Sequence, residues 1–295
     1  MQRPLIWTQA ARVSRIMVAQ VVQHVNKCTS DSIRSAARAL ASSVVALYDE
    51  TLKEELTPGL FPDRYFWWES GLAFNTLIDY YGLTSDSEYN ARISEALQHQ
   101  LGDHNAFMPA NQTKVLGNDD QSFWGLASLS AHEVQLPAPA SGSWLEFAKN
   151  VFNTQTVRWD TDSCNGGLKW QIFPFNDGYN YKNAGSNGQL FLLAARLAEQ
   201  TGDSIYTEWA TRIYNWATEA GLVSDDQHVY DGTDDRQNCS SVNHIQWTNN
   251  HAVFTEGAAL MYKVVSLTFW TMQGTVLTQS SRMLLKTGPT LSLGS

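Results

Sequence analysis

Two adjacent aspartates, Asp119 and Asp120, stand in the stretch GNDDQSFWG, between an asparagine and a glutamine. Two carboxyl groups that face one cavity can share a single proton, because the repulsion between them separates their pKa values. The same dipeptide is also a common start of an α-helix, with Asn118 as a cap, since carboxylates are stabilised at helix N-termini. The pair therefore predicts either acid–base and nucleophilic chemistry or a capped helix.

The setting of the pair favours chemistry. It opens an apolar helix, it follows the long loop 102–118, and Trp124 comes about one turn later. Glycosidases that retain the anomeric configuration use two carboxyl groups about 5–5.5 Å apart. One attacks the anomeric carbon, and the other protonates the leaving oxygen and then deprotonates a water molecule.

The composition limits the classes of function. The formal net charge of -9 and the pI of about 5.2 exclude a general attraction to nucleic-acid phosphates. Aromatic residues reach 12% and charged residues only 17%, which suits either stacking on sugar rings or a tryptophan-rich core. Three cysteines and seven histidines without a paired short spacing indicate no metal site.

The N-terminal segment does not have the pattern of a secretory signal, because Arg12 and Arg15 interrupt its apolar residues. No run of about 20 apolar residues predicts a membrane span. The sequence by itself therefore indicates neither export nor anchoring.

The elements that must position the aspartates are helices. Apolar residues recur at helical spacing through most of the chain, and Ser85 or Asp86 is a candidate cap for the third helix. The spacing predicts helices over 30–49, 67–83, 85–101, 119–133, 143–152, 187–200, 204–220 and 249–262.

A repeat relates two of these regions. LIDYYGLTSDSEYNARISEAL (77–97) parallels AARLAEQTGDSIYTEWATRIY (194–214), and each unit is an apolar helix, a tight turn and an amphipathic helix. Repeated helix pairs stack or close into a ring. We expect apolar helices inside, amphipathic helices outside, and the long loops 102–118, 160–187 and 225–247 at one mouth.

Several separate motifs resemble glycoside hydrolase family 76, the endo-α-1,6-mannanases, and above all its fungal cell-wall branch. The resemblance covers roughly residues 30–262 and is carried by FPDRYFWWESGLAFNTLIDYY (61–81), NQTKVLGNDDQSFWGLASLSAHE (111–133), CNGGLKWQIFPFNDGYNYKNAGSNGQLFLLAARLAEQTGD (164–203), VYDG (229–232) and NCSSVNHIQWTNNHAVFTEGAALMY (238–262). It implies an all-α fold, the (α/α)6 barrel, and a retaining mechanism without metal or organic cofactor. Asp119 would be the nucleophile and Asp120 the general acid/base.

The candidate substrate-binding residues are aromatic, amide or carboxylate side chains at the mouth loops and at the starts of inner helices. Each has a structural alternative, which is loop bracing, core packing or, for Asn187, a helix cap. The candidates are Trp68, Glu69, Gln112, Asn118, Gln121, Trp124, Trp170, Gln171, Tyr181, Asn183, Asn187, Asp231 and Trp247.

The ends of the chain depart from the resemblance. We divide the chain into a non-family segment (1–29), a partial barrel domain (30–262) and a divergent tail (263–295) without clear helical periodicity. About eight helices are predicted where the family has twelve, so the barrel is expected to be incomplete. Cys164 and Cys239 lie in two mouth loops and could form a disulfide in a secreted protein.

The resemblance leaves several functions open. The first is a retaining glycosidase that hydrolyses α-1,6-mannosidic linkages in mannan or cell-wall glycans. The alternatives are a transglycosidase that joins proteins carrying a glycosylphosphatidylinositol glycan to wall glucan, and a truncated mannan-binding pseudoenzyme. An unsaturated glucuronyl hydrolase is disfavoured, because the mouth loops have few cations for a uronate. We expect a monomer at the cell surface or wall, and membrane association stays open.

Overall fold

A computed structural model of the protein describes residues 29–53, 57–62 and 64–266. The segments 1–28 and 267–295, which contain most of the two predicted end segments, lie outside these residues. The described residues form eight α-helices: α1 (Ser30–Lys53), α2 (Trp67–Thr84), α3 (Asn90–His99), α4 (Asn118–Glu133), α5 (Trp144–Val157), α6 (Ala184–Thr201), α7 (Ser204–Glu219) and α8 (248–266).

The helices form two layers. In the inner layer α4 lies between α2 and α6 and packs against both, and Phe254 of α8 stacks on Phe191 of α6 at 5.6 Å. The outer helices α3, α5 and α7 pack on α2, α4 and α6, respectively. Gly71 of α2 permits the close approach of α4, because a methyl group there would lie 2.9 Å from the indole nitrogen of Trp124. The predicted hairpin arrangement is confirmed.

All eight predicted helices are present, but three of their starts differ from the prediction. Ser85 does not cap α3, because it is the left-handed C-cap of α2, with φ of 60°. Asp86 precedes α3 as well, and its carboxylate accepts a 2.6 Å hydrogen bond from Tyr80 Oη. The cap of α4 is Gly117 rather than Asn118, and the cap of α6 is Asn183 rather than Asn187. Helical periodicity identifies a buried face, whereas a cap depends on local backbone geometry.

A small antiparallel sheet, which was not predicted, joins two mouth loops. Its strands are β1 (Tyr181–Asn183), β2 (Gly232–Asp234) and β3 (Val242–Asn243), in that order, with Tyr181 opposite Asp234 and Gly232 opposite Asn243. The predicted disulfide between Cys164 and Cys239 is present, with a Cα–Cα distance of 5.5 Å. The sheet and the disulfide therefore hold loops 160–187 and 225–247 together.

Buried ion pairs reinforce the same junction. Lys182 is fully buried, and its Nζ lies 3.0 Å from Asp160 Oδ2. Lys169 pairs with Asp160 and with Asp235. Burial pushes the pKa of Asp160 upward, but hydrogen bonds from Lys182, Ser163 and the Asp162 backbone outweigh it and hold that pKa at about 2. Breaking one partner would leave a buried charge uncompensated, so this junction is rigid.

None of the helices within the described residues has both the length and the apolar character needed to cross a membrane.

Candidate active site

The aspartate pair lies in the first turn of α4, where Asp119 and Asp120 are the second and third residues and both are half-buried. Asp120 Oδ2 accepts a 2.8 Å hydrogen bond from the backbone N–H of Gly117. This contact satisfies one of the free N–H groups at the helix start. Asp120 is therefore a helix-capping residue as well as a candidate catalytic one.

Gly117 lies against both carboxyl groups. A methyl group there would lie 2.5 Å from Asp119 Oδ1 and 3.1 Å from Asp120 Oδ2. These two oxygens are thus no farther apart than the sum of those distances, about 5.6 Å. The φ of Gly117 is an ordinary -96°, so space rather than backbone conformation requires glycine. For these two oxygens the upper bound is close to the short spacing of retaining glycosidases, about 5–5.5 Å, and lies below the 6.5–9.5 Å of inverting enzymes.

The two carboxyl groups have different electrostatic surroundings. Burial raises the pKa of Asp119 to about 6, although hydrogen bonds from Asn183 Nδ2, the Asp120 backbone and the Trp170 side chain favour its ionised form. Burial and the negative charge of Asp119 raise the pKa of Asp120 well above its usual value, against one opposing hydrogen bond from Gly117. Both groups therefore hold a proton more readily than a free aspartate does, and ionisation of Asp119 disfavours ionisation of Asp120.

Trp170 is placed by backbone pairing. Residues 170–172 run antiparallel to 116–118, with hydrogen bonds from Asn118 N to Trp170 O (2.8 Å) and from Ile172 N to Leu116 O (3.2 Å). The indole ring covers Gly178, where φ is +93° and a methyl group would lie 2.4 Å from Cε3 of Trp170. This arrangement brings the Trp170 side chain to Asp119, and its contact with substrate stays a prediction.

Comparison with known proteins identifies the family. The family model described as glycosyl hydrolase family 76 matches residues 32–290. This chain belongs to glycosyl hydrolase family 76. The match covers most of the chain and extends into the segment 263–295, which we assigned to a divergent tail.

Relatives and solved structures agree with this family 76 assignment. A mannan endo-1,6-alpha-mannosidase, DCW1, of Eremothecium gossypii is 41% identical over 285 residues, which are 95% of this chain and 63% of that protein. A putative mannan endo-1,6-alpha-mannosidase of Schizosaccharomyces pombe is 47% identical over 216 residues, 72% of this chain and 49% of that protein. The chain thus spans about half to two thirds of the length of these relatives.

The crystal structure of Dfg5 from Chaetomium thermophilum in complex with glucosamine is 38% identical, with a TM-score of 0.76 over 83% of this chain and 62% of that one. An α-1,6-mannanase of Salegentibacter sp., in complex with α-1,6-mannotetrose, is 22% identical, with a TM-score of 0.60 over 77% of this chain and 65% of that one. These likenesses confirm the predicted (α/α)6 barrel fold.

The residues that flank the pair in this family 76 chain use their polar atoms within the fold. Asn118 donates from Nδ2 to Lys169 O at 2.8 Å and accepts from Arg158 Nε at 2.9 Å. Gln121 donates from Nε2 to Ala106 O at 2.7 Å and also accepts from the Arg158 guanidinium. Both are at most 1% exposed. The prediction that they bind sugar hydroxyls is wrong, because their polar atoms are buried and bonded to residues that pack around α4.

Two further predicted contacts are also wrong. Trp124 is fully buried, stacks on Trp67 and Phe107, and donates from its indole to Trp67 O. Asn187 is fully buried and exchanges two hydrogen bonds with the backbone of Leu168. Trp124 is therefore a core residue, and Asn187 fixes the loop that leads to Trp170. Gln171 is buried as well, and its Oε1 accepts a hydrogen bond from Asn176 Nδ2. Its contact with substrate stays a prediction.

The predicted residues of α2 and its neighbouring loop lie on the other side of α4. Trp68 is half-buried and stacks at 4.9 Å on Phe123, which follows Asp119 by one turn. Glu69 accepts a 2.7 Å hydrogen bond from the backbone of Phe66 and so caps α2. Gln112 is half-buried in a 3-10 turn (Ala110–Gln112) before α4. Their contact with substrate stays a prediction.

Three predicted residues, Tyr181, Asp231 and Trp247, meet at the carboxylate of Asp231. Asp231 accepts hydrogen bonds from Tyr181 Oη (2.7 Å), Asn243 Nδ2 (2.9 Å) and Trp247 Nε1 (2.8 Å). Burial and the bond to Asp231 raise the pKa of Tyr181, so this hydroxyl stays a donor. Asp231 thereby fixes the indole of Trp247, which is 41% exposed. Their role as a sugar platform stays a prediction.

Sequence reasoning missed Arg158 and Asn250. Arg158 follows α5, and burial lowers its pKa to about 10, yet nothing near it in the sequence shows that it reaches α4. Asn250 lies in the first turn of α8 and is 5% exposed. The signal that could have found Asn250 is the spacing of the buried residues of α8, which places Asn250 on the buried face and Asn249 on the exposed face. Among the described residues, no group of three or more His, Cys, Asp or Glu is placed to hold a metal ion.

Proposed function

We propose that this chain is a retaining glycosidase that cleaves α-1,6-mannosidic linkages within mannan or cell-wall glycoprotein glycans. The observation that carries the proposal is the pair of adjacent carboxyl groups, of which two oxygens lie at most about 5.6 Å apart and both have raised pKa values. The names of the fungal relatives support the mannan substrate.

In the first step the Asp119 carboxylate attacks the anomeric carbon of a mannosyl unit, while Asp120 donates its proton to the leaving oxygen. A covalent glycosyl–Asp119 ester and a free sugar hydroxyl result. Forming the ester removes the negative charge of Asp119, which is one cause of the raised pKa of Asp120. The pKa of Asp120 then falls, and its carboxylate can deprotonate the water that opens the ester.

Transfer to a sugar hydroxyl shares the first step with hydrolysis. In both cases the ester forms on Asp119, and only the group that opens it differs. A transglycosidase that joins glycosylphosphatidylinositol-bearing proteins to wall glucan is therefore the second candidate, and the products distinguish it.

The test is turnover of a defined α-1,6-mannooligosaccharide by the purified chain, with and without a β-glucan oligosaccharide as acceptor. Asp119→Asn and Asp120→Asn are measured in parallel, with circular dichroism to show that each is folded. We expect shorter mannosides from the parent and none from either variant. Longer mixed products with the acceptor would favour transfer, and no reaction in a folded parent would favour the pseudoenzyme.

We also propose that the protein acts outside the cell or at its wall, as a monomer. The disulfide between Cys164 and Cys239 supports export, since such bonds persist in oxidising compartments. Fractionation of a fungal host, with light scattering on the purified chain, tests both statements. A reduced protein confined to the cytosol, or a stable dimer, would contradict them.

A further inference from the structure

Three polar groups from different elements converge over the α-carbon of Gly185 in α6. A methyl group on Gly185 would lie 3.2 Å from Asn183 Nδ2, 3.4 Å from Asp119 Oδ2 and 3.6 Å from Asn250 Oδ1. Because glycine has no side chain, this space forms a small notch beside the candidate nucleophile. A ligand hydroxyl that approaches this α-carbon would face all three polar groups, which form hydrogen bonds at about 2.7–3.2 Å.

Asn183 and Asn250 differ in how their amides are used. Asn183 accepts from Ser186 N and donates to Asp119, so it caps α6 and positions the carboxylate. The side chain of Asn250 makes no hydrogen bond with any residue of the described part of the chain, although it is only 5% exposed. The described part of the fold therefore makes no use of this amide, which leaves it available to a ligand beside Asp119.

Mannoside stereochemistry identifies the group that would enter the notch. A retaining nucleophile approaches the anomeric carbon from the face opposite the leaving group. In an α-mannoside the axial 2-hydroxyl projects from that same face, whereas the 2-hydroxyl of an α-glucoside is equatorial. The hydroxyl beside Asp119 is therefore the one that distinguishes mannose from glucose.

We infer that Asn250 hydrogen-bonds the axial 2-hydroxyl of the reacting mannosyl unit, in the notch over Gly185, and thereby selects mannose over glucose. The inference rests on the proposed function, because it assumes that Asp119 attacks a mannoside. Hydrogen bonds to the 2-hydroxyl strengthen as a glycosidase approaches its transition state, so Asn250 acts on kcat as well as on binding.

The experiment compares substrates that differ only at the second carbon. The substrates are 4-nitrophenyl α-1,6-mannobioside and two analogues, in which the sugar that bears nitrophenol is 2-deoxy or has the gluco configuration. We expect Asn250→Ala to reduce kcat/KM on the mannoside by roughly tenfold to a hundredfold. The same variant should lose little on the 2-deoxy substrate, since the partner hydroxyl is already absent.

Asn249→Ala is the matched control, because Asn249 has the same side chain, lies in the same helical turn and is exposed. It should leave all three rates unchanged. Gly185→Ala fills the notch from the opposite side and should repeat the selective loss on the mannoside. Thermal unfolding of every variant separates a local loss from a folding defect.

An equal loss on the mannoside and the 2-deoxy analogue would overturn the inference. A parent that turns over no substrate would instead contradict the proposed function, and binding then decides the inference by calorimetry. Weaker binding of the mannobioside by Asn250→Ala, but not of the gluco analogue, would still support it. A chain that binds neither sugar would overturn both.

Discussion

The inner helices α2 and α4 begin with the same local device. In α2 Glu69 turns back to the N–H of Phe66 at 2.7 Å, and in α4 Asp120 turns back to the N–H of Gly117 at 2.8 Å. The cap residues also share an extended backbone, with φ of -75° for Phe66 and -96° for Gly117. What differs is the surroundings, because only Asp120 has a second carboxylate beside it.

The neighbours of a capping carboxylate decide how readily it holds a proton. Both contacts satisfy the free N–H groups of a helix start. Around Asp120, however, burial and the charge of Asp119 raise the pKa of the carboxyl group, whereas hydrogen bonds from Asn183 and Trp170 oppose the rise in the pKa of Asp119 that burial causes. A helix start and the proposed catalytic pair are therefore compatible here, since the carboxylate of Asp120 belongs to both.

The largest expected effect is a difference in activity between variants of the two capping carboxylates, Asp120 and Glu69. Asp120→Asn should reduce kcat/KM by about a hundredfold to ten-thousandfold, because the leaving oxygen loses its proton donor. Glu69→Gln keeps a capping side chain at the equivalent position and should lose much less activity than Asp120→Asn, because Glu69 is not the proton donor. Steady-state kinetics on the mannobioside measures both. Similar losses in the two variants would remove the distinction between the helix starts.

A smaller difference in activity is expected between variants of the two cap residues, Gly117 and Phe66. Gly117→Ala should reduce activity by about tenfold to a hundredfold, because the new methyl group displaces the Asp119 carboxylate, whose oxygen lies 2.5 Å from that position. Some stability should be lost as well, since the methyl group would lie 3.2 Å from the backbone oxygen of Trp170 and beside the capping carboxylate of Asp120. Phe66→Ala, at a half-exposed position, should leave activity unchanged. Full activity in Gly117→Ala would show that the pair tolerates a shift.

The smallest effect concerns stability and pH. The pKa of Asp119 is raised from 3.8 to about 6 in the folded protein, so the folded state binds more protons than the unfolded state between those values. Stability therefore falls as pH rises through about 6. Asp119→Asn should raise the free energy of unfolding by about 1–3 kcal/mol at pH 7, with no gain at pH 3.

Urea unfolding of the parent and Asp119→Asn across this pH range measures the difference. Glu69→Gln should change stability by less than about 0.5 kcal/mol at pH 7. A variant that is less stable than the parent at pH 7 would contradict the cost assigned to burying the Asp119 carboxylate.

Much of this fold could be predicted from the sequence, since apolar spacing locates the helices and the repeat at 77–97 and 194–214 indicates stacked hairpins. The partner of a polar side chain could not. Asn118 and Gln121 bind Arg158, which is about 40 residues away in the chain, so nothing near them indicates that they face the core. Trp124 is equally suited to a core or a sugar platform, and only packing against Phe107 decides between them.

The position of Asn250 beside Asp119 could not be predicted from the sequence either. It stands next to an identical asparagine, and only the helical phase of α8 turns one amide toward Asp119 and the other outward. That phase depends on how α8 packs against α6, through contacts such as Phe254 on Phe191. A site residue that comes from a distant helix can therefore be identified only once the fold is known.

The most direct test of the central claim, that Asp119 is the nucleophile and Asp120 its proton donor, is to trap the glycosyl intermediate. The chain is incubated with a 5-fluoro α-mannosyl fluoride extended by α-1,6-linked mannose, and its peptides are sequenced by mass spectrometry. We expect one glycosyl adduct on Asp119, which disappears in Asp119→Asn. An adduct on Asp120, or turnover without an adduct and with inversion at the anomeric carbon, would contradict the account.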